Sequence, residues 1–197
     1  MRPEQSELFG AAAPALPEGF VYQPEILTIE EERALVAEIA RLPLEQAKYR
    51  EYTARRRVAY FGHDYDFTAN RLGDAPPIPA FLEPLRTKLA GWMGIAPGEF
   101  VTVLVAEYSP GTPLGWHRDA PDYERVAGVS LGGWARMRLR PLGRKAPPRA
   151  EKPLVLELAP RSAYQMTGAA RWQWQHSIPP TKELRYSITW RTLRQKD

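Results

Sequence analysis

The sequence contains no cysteine, and it carries only three histidines among its 197 residues. The lack of cysteine excludes a disulfide scaffold, a thiolate zinc site, an iron–sulfur cluster and a cysteine nucleophile. Residues 1–19 show no apolar stretch followed by a cleavage site, and no long apolar run follows. We therefore expect a cytoplasmic protein that does not enter a membrane.

The composition is that of a single globular domain. Hydrophobic residues make up 44% of the chain and charged residues 25%, and this length is enough to bury a core without cross-links. Residues 1–19 are rich in Ala and Pro and show no periodicity, which predicts a flexible arm ahead of one domain over residues 20–197. The net charge of +4 permits a polyanionic partner but does not require one.

Two helices are predicted before residue 98. Thr28 and Glu31 form the signature of a capping box, and apolar residues then recur at helical spacing until Pro43. A second apolar stripe indicates a helix over about Ile78–Trp92, with Pro84 early in it or bending it. Both helices therefore precede the β-rich part of the chain.

After Gly98 the pattern changes to short β-rich runs separated by Gly and Pro clusters. Many short strands with turn signals are typical of a sandwich or a barrel. We therefore predict an α+β, mainly β fold. The predicted strands are Phe100–Tyr108, Val126–Leu131, Ala135–Arg140, Leu154–Leu158, Ala163–Met166 and Arg185–Thr192.

Residues 48–67 are basic and aromatic at once, with three consecutive arginines, Arg55–Arg57, among several tyrosines and phenylalanines. One interpretation is an edge strand or hairpin. The other is a lid whose rings stack on a base while its arginines meet phosphate. The basic loop over residues 140–152 could track phosphates in the same way, or it could be a solvated surface. Arg136, Arg138 and Arg140 form one cationic strand face, which we expect to face solvent.

His117 and Asp119 are two residues apart, so in an extended segment both side chains leave the same side of the backbone. One imidazole and one carboxylate are two thirds of a facial triad. A distant second histidine would complete the set that leaves three positions open on a non-haem iron. A lone His-x-Asp triplet also occurs by chance, so the pattern needs support from elsewhere in the chain.

The last predicted strand provides that support. Arg185, Ser187, Thr189 and Arg191 alternate with Tyr186, Ile188 and Trp190, so one face is polar and the other apolar. If the apolar face packs against the helices, both arginines point into the interior, where an unpaired charge is costly and an anion is required. A small dicarboxylic acid that also chelates a metal suits such a site. The alternative is an amphipathic edge strand with both arginines in water.

Taken in order, four motifs resemble those of the AlkB-like iron(II)/2-oxoglutarate-dependent dioxygenases, and of a bacterial subgroup among them. They are Tyr108-Ser109-Pro110-Gly111, then His117-Arg118-Asp119, then His176, then Arg185-Tyr186-Ser187-Ile188-Thr189-Trp190-Arg191. The resemblance implies a double-stranded β-helix, or jelly roll, with its core at about residues 99–194, two supporting N-terminal helices and a substrate lid at about 48–70.

The resemblance also implies the roles of individual residues. It gives His117, Asp119 and His176 as ligands of iron(II), and Arg185, assisted by Tyr108, as the group that binds the distal carboxylate of 2-oxoglutarate. Ser187 and Arg191 belong to the same cosubstrate site, and O2 is the third reactant. In the lid and beside the site, the residues expected to contact substrate are Arg57, Tyr60, Phe61, Tyr65 and Asp122.

The implied activity is oxidative removal of N-methyl groups from bases of DNA or RNA, single-stranded or flipped out, by a monomer. Formaldehyde, succinate and CO2 are the products. Three positions depart from the family's DNA-repair members: Ala106 and Ser187 stand where asparagines are common, and Pro121 where an acidic residue often reads the base. They motivate an alternative, the same chemistry on a tRNA modification, a protein side chain or a small molecule. A basic nucleic-acid-binding module without catalysis is the remaining hypothesis.

Overall fold

The computed structural model describes residues 15–49, 52–66, 71–143 and 152–195, and it leaves out the side chains of residues 48, 49, 52, 64–66 and 72. The strands in the described residues are β1 (Phe20–Gln23), β2 (Glu45–Tyr49), β3 (Tyr52–Phe61), β4 (His63–Asp66), β5 (Arg71–Asp74), β6 (Phe100–Tyr108), β7 (Leu114–His117), β8 (Tyr123–Gly132), β9 (Ala135–Pro141), β10 (Leu154–Leu158), β11 (Ala163–Met166), β12 (Trp174–Ile178) and β13 (Arg185–Leu193). The helices there are α1 (Ile29–Ile39), α2 (Glu83–Met93) and α3 (Gly168–Trp172).

Two antiparallel sheets form the body of the protein. The major sheet has the strand order β1-β11-β8-β13-β6-β3-β2, and the minor sheet has the order β10-β9-β12-β7. A separate hairpin joins β4 to β5. Side chains from both larger sheets line one cavity, so the two sheets face each other. The predicted mainly β, jelly-roll fold is confirmed, and β6 has the predicted bounds.

Helices α1 and α2 cover the outer face of the major sheet. The capping box at Thr28 is present: its Oγ1 accepts from the Glu31 backbone N at 3.1 Å, and the Glu31 carboxylate accepts from the Thr28 backbone N. Pro84 lies in the first turn of α2, where its missing N–H costs no hydrogen bond. Leu35 and Leu89 pack in the same cluster as the apolar residues of the sheet. The two predicted helices are thus confirmed.

Strand β13 lies at the centre of the major sheet between β6 and β8, and its residues are buried as far as Thr192. Tyr186, Ile188 and Trp190 belong to the core beneath the helices. The alternate residues line the cavity: Arg185, Ser187, Thr189 and Arg191. The predicted orientation of this strand is therefore confirmed.

Several features differ from the expectations. Residues 15–19, assigned to the arm, are attached to the fold: the Ala170 backbone N donates to Glu18 and the Thr167 N donates to Gly19. Residues 1–14 lie outside the described part of the chain, as do residues 67–70 of the predicted lid and most of the basic loop.

β3 pairs with β2 and β6 over the first part of the lid region, as the hairpin interpretation required. No helix in the described ranges has the length and apolar character of a membrane span.

Candidate active site

A cavity of about 350 Å³ lies between the two sheets. Polar side chains of β13 line it from the major sheet. Both histidines and several apolar side chains line it from the minor sheet. The lining residues used below are Arg56, Tyr60, Tyr108, Trp116, His117, Arg118, Asp119, Tyr123, Tyr164, His176, Arg185, Ser187, Thr189 and Arg191. Its size is that of a pocket for a small organic molecule.

His117 and His176 meet because their strands are neighbours. The two residues are directly opposite in the antiparallel pair of β7 and β12, and their ring centroids are 4.2 Å apart. Nδ1 of His117 lies 2.9 Å from the Gly115 carbonyl oxygen. Because a carbonyl can only accept, this contact places the proton on Nδ1 and leaves Nε2 with a free lone pair.

Asp119 completes the group from beyond the end of β7. Its side chain is only 4% exposed. Oδ1 accepts a hydrogen bond from Nε of Arg191 at 2.7 Å, whereas Oδ2 is buried, has no hydrogen-bond partner among the described residues and lies 4.0 Å from Nε2 of His176. A buried carboxylate oxygen without a partner is uncommon in folded proteins and fits a position where a cation binds.

Charge states in the cluster suit a metal ion. Burial opposes ionisation of Asp119 and is the largest single influence, but Arg191 together with His176, His117 and Arg171 outweighs it and holds the pKa of the carboxyl well below its usual range. Burial lowers the pKa of His176 to about 3, and burial also lowers the pKa of His117. The cluster therefore offers two neutral imidazoles and one carboxylate, which are the donors of a two-His-one-carboxylate iron(II) site.

These three side chains are gathered but not closed around one point. Within the described ranges, no group of three or more His, Cys, Asp and Glu side chains already has the spacing of a metal site. The separation of 4.0 Å between Asp119 and His176 is consistent with this. The donors would have to move closer together, by side-chain rotation, to bind one shared ion.

Arg185 lies at the other end of β13 with neutral partners. It is 3% exposed, its Nε donates to Oγ of Ser130 at 2.9 Å, and its guanidinium carbon lies 5.0 Å from the centroid of the Tyr108 ring. Tyr108 is also the residue opposite Arg185 in the pair of β13 and β6. A buried guanidinium without a carboxylate is favourable only when an anion joins it, and a carboxylate suits its planar geometry.

The predicted substrate residues do not all reach the cavity. Tyr60 lines it. Arg57 does not: its guanidinium forms two hydrogen bonds of 2.8 Å with the carboxylate of Glu107. Phe61 packs in the hydrophobic core and is 8% exposed. Arg57 and Phe61 therefore lie on the face of β3 away from the cavity, because successive residues of a strand point to opposite faces, and their predicted contact with substrate stays a prediction.

Two further predicted residues need separate mention. Asp122 is partly buried and does not line the cavity, although its neighbour Tyr123 does. The side chain of Tyr65 lies outside the described residues, so its predicted role stays a prediction. From the arginine triplet of β3, the cavity receives Arg56 instead of Arg57.

Tyr164 is a cavity residue that sequence reasoning missed. Burial raises the pKa of its hydroxyl. Gly128 lies directly opposite it in the pair of β11 and β8, and a Cβ added to Gly128 would come within 2.3 Å of the tyrosine ring. The glycine thus leaves the space that the ring occupies. Only the register of the two strands reveals this pair, so the sequence alone carried no usable signal.

Trp116 was also missed, together with its contacts. The guanidinium carbons of Arg138 and Arg140 lie 5.0 Å and 4.2 Å from the centroid of its ring. Both arginines are half-buried, and Nε of each donates to a neutral group: Ser177 for Arg138 and Gln175 for Arg140. The simple solvent exposure expected for this strand face holds for Arg136, which pairs with Glu157, but not for the other two.

Several curated proteins are similar to this chain in sequence. Mouse tRNA (carboxymethyluridine(34)-5-O)-methyltransferase ALKBH8 is 26% identical over 85% of the chain, which corresponds to 25% of that protein. The Arabidopsis thaliana alkylated DNA repair protein ALKBH8 homolog is 27% identical over 83% of the chain and 51% of its own length. An uncharacterized mimivirus protein, L905, is 36% identical over 46% of the chain and 47% of that protein. The chain thus spans about half or less of the length of these curated relatives.

Solved structures support the fold. The structure of OsALKBH1 superimposes with a TM-score of 0.73 at 15% identity and covers 90% of this chain and 100% of that one. A 2OG-Fe(II) oxygenase family oxidoreductase from Burkholderia pseudomallei gives a TM-score of 0.61 at 20% identity, with 90% and 86% covered. The expected bacterial subgroup stays a prediction, since the curated relatives named here come from a virus, an animal and a plant.

The family model decides the class of protein. The model of the 2OG-Fe(II) oxygenase superfamily matches residues 19–192, which is most of the chain. Iron(II), 2-oxoglutarate and O2 are the reactants of that superfamily, and the gathered donors and the buried Arg185 fit the first two. The chain belongs to the 2OG-Fe(II) oxygenase superfamily and is an AlkB-like member of it.

Proposed function

We propose that this oxygenase removes N-alkyl groups from nucleobases of DNA or RNA. In this proposal His117, Asp119 and His176 hold iron(II), and Arg185 with Tyr108 binds the distal carboxylate of 2-oxoglutarate. Arg191 holds the outer oxygen of Asp119, so that its other oxygen stays turned toward the histidines. Ser187 lies between the two arginines on the cavity side of β13.

Bound iron(II) and 2-oxoglutarate supply the oxidative chemistry: O2 converts the keto acid to succinate and CO2 and hydroxylates an N-methyl group, which leaves as formaldehyde. The protein's own residues bind and orient the reactants and exclude water from the space between the sheets. Apolar residues of the minor sheet and the ring of Tyr164 enclose that space. A base in a duplex would have to be flipped out to enter it, at a cost of a few kcal/mol.

The single observation that carries the choice of nucleic acid is the cluster at Trp116. One aromatic ring, two guanidinium groups whose hydrogen-bond partners among the described residues are neutral, and a metal-ligand candidate, His117, lie on consecutive or neighbouring positions. An aromatic face beside unpaired cations is how proteins bind a single strand, with a base stacked and phosphates neutralised. Arg56 and Arg118 add positive charge on the cavity side.

The activity is tested with single-stranded DNA and RNA oligonucleotides that carry N1-methyladenine or N3-methylcytosine. We expect formaldehyde and succinate to form in equal amounts, and only when iron(II), 2-oxoglutarate and O2 are all present. His176→Ala should abolish both products, whereas the unmethylated oligonucleotide should yield little of either. An absence of turnover on every alkylated oligonucleotide, with the cosubstrate bound, would reject this substrate class.

The role of the Trp116 cluster is tested separately by binding. Arg138→Gln and Arg140→Gln should each weaken binding of a fluorescent single strand and lower the dependence of its Kd on salt by about one counterion. Arg136→Gln is the matched control, because Arg136 lies on the same face of β9 but is paired with Glu157. Equal losses for all three variants would show that general charge, and not this cluster, attracts the strand.

A second candidate substrate is a modified tRNA base. Two relatives are ALKBH8 proteins, of which the mouse one is named as a tRNA methyltransferase. Ala106 and Ser187, two of the three departures from the DNA-repair pattern, are opposite each other across β6 and β13, and Ser187 lines the cavity. Turnover on total tRNA but not on methylated oligonucleotides would favour this candidate. Strand binding that survives His176→Ala, without turnover on any substrate, would favour a binding module.

A further inference from the structure

Arg171 is a buried cation that the proposed chemistry does not use. It lies on the short helix α3, between β11 and β12, and is 2% exposed. Burying a guanidinium is costly unless hydrogen bonds compensate for lost water. Within the described part of the chain its hydrogen-bond partners are all backbone carbonyls, and its Nε has none.

The three carbonyls belong to one short segment. Nη2 of Arg171 lies 3.3 Å from the carbonyl oxygen of Asp119, 2.6 Å from that of Ala120 and 2.8 Å from that of Tyr123. This segment connects the end of β7 to the start of β8, and residues 118–120 have no regular secondary structure. A single side chain thus gathers the backbone on the carboxyl side of the candidate metal ligand.

The sheet does not fix Asp119. His117 is the last residue of β7 and is held by its ladder with β12, but Asp119 lies two residues beyond that ladder. The Asp119 carbonyl oxygen accepts from Nη2 of Arg171 at 3.3 Å. Backbone that is not fixed by secondary structure must be fixed by side chains if the carboxylate is to keep one orientation.

Two arginines therefore hold different parts of Asp119. Arg191 binds Oδ1 of the carboxylate at 2.7 Å, and Arg171 binds the backbone of the same residue. The other carboxylate oxygen, Oδ2, has no hydrogen-bond partner in the described part of the chain, and it lies on the side of His176. The backbone contact sets where the side chain begins, and the contact with Oδ1 sets how it is rotated.

We propose that Arg171 is a positioning residue for the metal centre: it holds the segment from Asp119 to Tyr123 so that Oδ2 of Asp119 stays available to iron(II). The proposal rests on the assignment of Asp119 as a metal ligand. It assigns Arg171 no contact with substrate or cosubstrate. Its loss should thus change metal affinity and leave the binding of 2-oxoglutarate to metal-saturated protein nearly unchanged.

The variants for the test are Arg171→Met, which keeps the length and apolar stem of the side chain, and Arg171→Lys, which keeps the charge but loses the planar fork. Arg194→Met is the matched control. Arg194 also lies over the Trp172 ring, at 4.7 Å against 4.4 Å for Arg171, but its side chain pairs with the Glu124 carboxylate, at 4.0 Å. It therefore reports the loss of a guanidinium from the same neighbourhood.

The measurements are anaerobic titrations of the full chain with iron(II) and with cobalt(II), whose visible spectrum reports coordination geometry. We expect Arg171→Met to weaken metal binding about tenfold to a hundredfold and to alter the cobalt spectrum, as residues that orient metal ligands do. Arg171→Lys should recover part of the affinity, and Arg194→Met should bind as the wild type does. The Kd of 2-oxoglutarate at saturating metal should change less than about twofold, because Arg171 is assigned no contact with 2-oxoglutarate.

Wild-type metal affinity and an unchanged cobalt spectrum in folded Arg171→Met would overturn the proposal. If Arg171→Met is recovered unfolded, Arg171→Lys decides, because equal affinity in that variant would overturn the proposal and a weaker one would support it. Asp119→Ala is titrated in parallel. Metal binding that survives Asp119→Ala would refute the ligand assignment itself, a result separate from any effect of Arg171.

Discussion

The two ends of β13 hold arginines in opposite electrostatic situations. Arg191 is paired with a carboxylate of the protein, Asp119, at 2.7 Å. Arg185, six residues earlier on the same face, has neutral partners among the described residues, including a serine hydroxyl and a tyrosine ring. Since both are buried, the difference shows which charge the fold already balances and which it leaves for a ligand. One end of the strand is built for a metal ligand and the other for an anionic cosubstrate.

The largest expected effect comes from removing the carboxylate at the balanced end. Asp119→Ala should weaken iron(II) binding by more than about a hundredfold, because it removes a direct metal ligand. Loss of a residue that merely orients a ligand already lowers metal affinity by about tenfold or more. Asp119→Ala also leaves Arg191 buried without its partner, a change that costs about 3–5 kcal/mol in comparable pairs. Anaerobic metal titration and urea denaturation measure the two effects.

Asp119→Asn is the control for this variant, because it keeps the shape and an oxygen but removes the charge. We expect it to lose metal affinity while unfolding at a higher urea concentration than Asp119→Ala. If both variants bound iron(II) as tightly as the wild type, the balanced end of β13 would not be the metal end.

Removing the arginine at the unbalanced end should separate cosubstrate from metal. Arg185→Leu should weaken 2-oxoglutarate binding by about tenfold to a hundredfold, as expected for lost hydrogen bonds to a charged group. Metal affinity should stay unchanged. Arg191→Leu is the counterpart and should weaken metal binding, since Asp119 then loses its hydrogen bond. Calorimetric titration with 2-oxoglutarate and with metal distinguishes the two patterns. Unchanged cosubstrate affinity in Arg185→Leu would contradict the assignment of this end.

A smaller effect is expected from the ring that shares the cavity with both arginines. Gly128→Ala places a Cβ within 2.3 Å of Tyr164, so the ring must move. Overpacking of this kind typically costs about 1–3 kcal/mol of stability. Adding Tyr164→Ala to Gly128→Ala removes the clash. Urea denaturation of the single and double variants should give a favourable coupling energy. Strictly additive losses would show that the two residues do not compete for the same space.

The smallest effect is the pH dependence of the chelator-treated protein. The pKa of His176 falls from about 6.5 in an unfolded chain to about 3 in the folded one. Below pH 6.5 the unfolded chain therefore binds a proton that the folded chain does not. The free energy of unfolding then decreases as the pH is lowered, by up to about 1.4 kcal/mol per pH unit. The lowered pKa of Asp119 acts only below about pH 4, where its contribution is lost.

Urea denaturation of the wild type, measured between about pH 4.5 and 6.5, should show the free energy of unfolding decreasing as the pH is lowered. His176→Asn should show a flatter profile, because His117 alone remains to produce it. A profile identical to that of the wild type would mean that His176 is not buried in its neutral form.

The sequence predicted best what alternation and burial decide together. The polar and apolar faces of β13 were assigned correctly, because Tyr186, Ile188 and Trp190 had to enter the core and the arginines then had to face the interior. The same reasoning failed in β3, where aromatic and basic residues stand at both odd and even positions. Only its pairing with β6 decides that Arg56 faces the cavity while Arg57 meets Glu107.

Other features could not be predicted for different physical reasons. Helix α3 has five residues and no side-chain cap, so its sequence carries no helical signal. Arg171 is bound by carbonyls, which every residue has, and no residue type marks its partners. Tyr164 and Gly128 are 36 positions apart, and their fit depends on the register of two strands.

The position of β7 at the end of the minor sheet has a consequence for the behaviour of the whole protein. β7 has one neighbour, β12, and its pairing there is irregular between His176 and Ile178. An ion shared by His117 and His176 would tie this border strand to the strand inside it, in addition to the backbone hydrogen bonds. Metal binding would therefore oppose the local separation of β7 from β12. We expect β7 to separate from the sheet more readily in the metal-free protein than in the metal-bound protein.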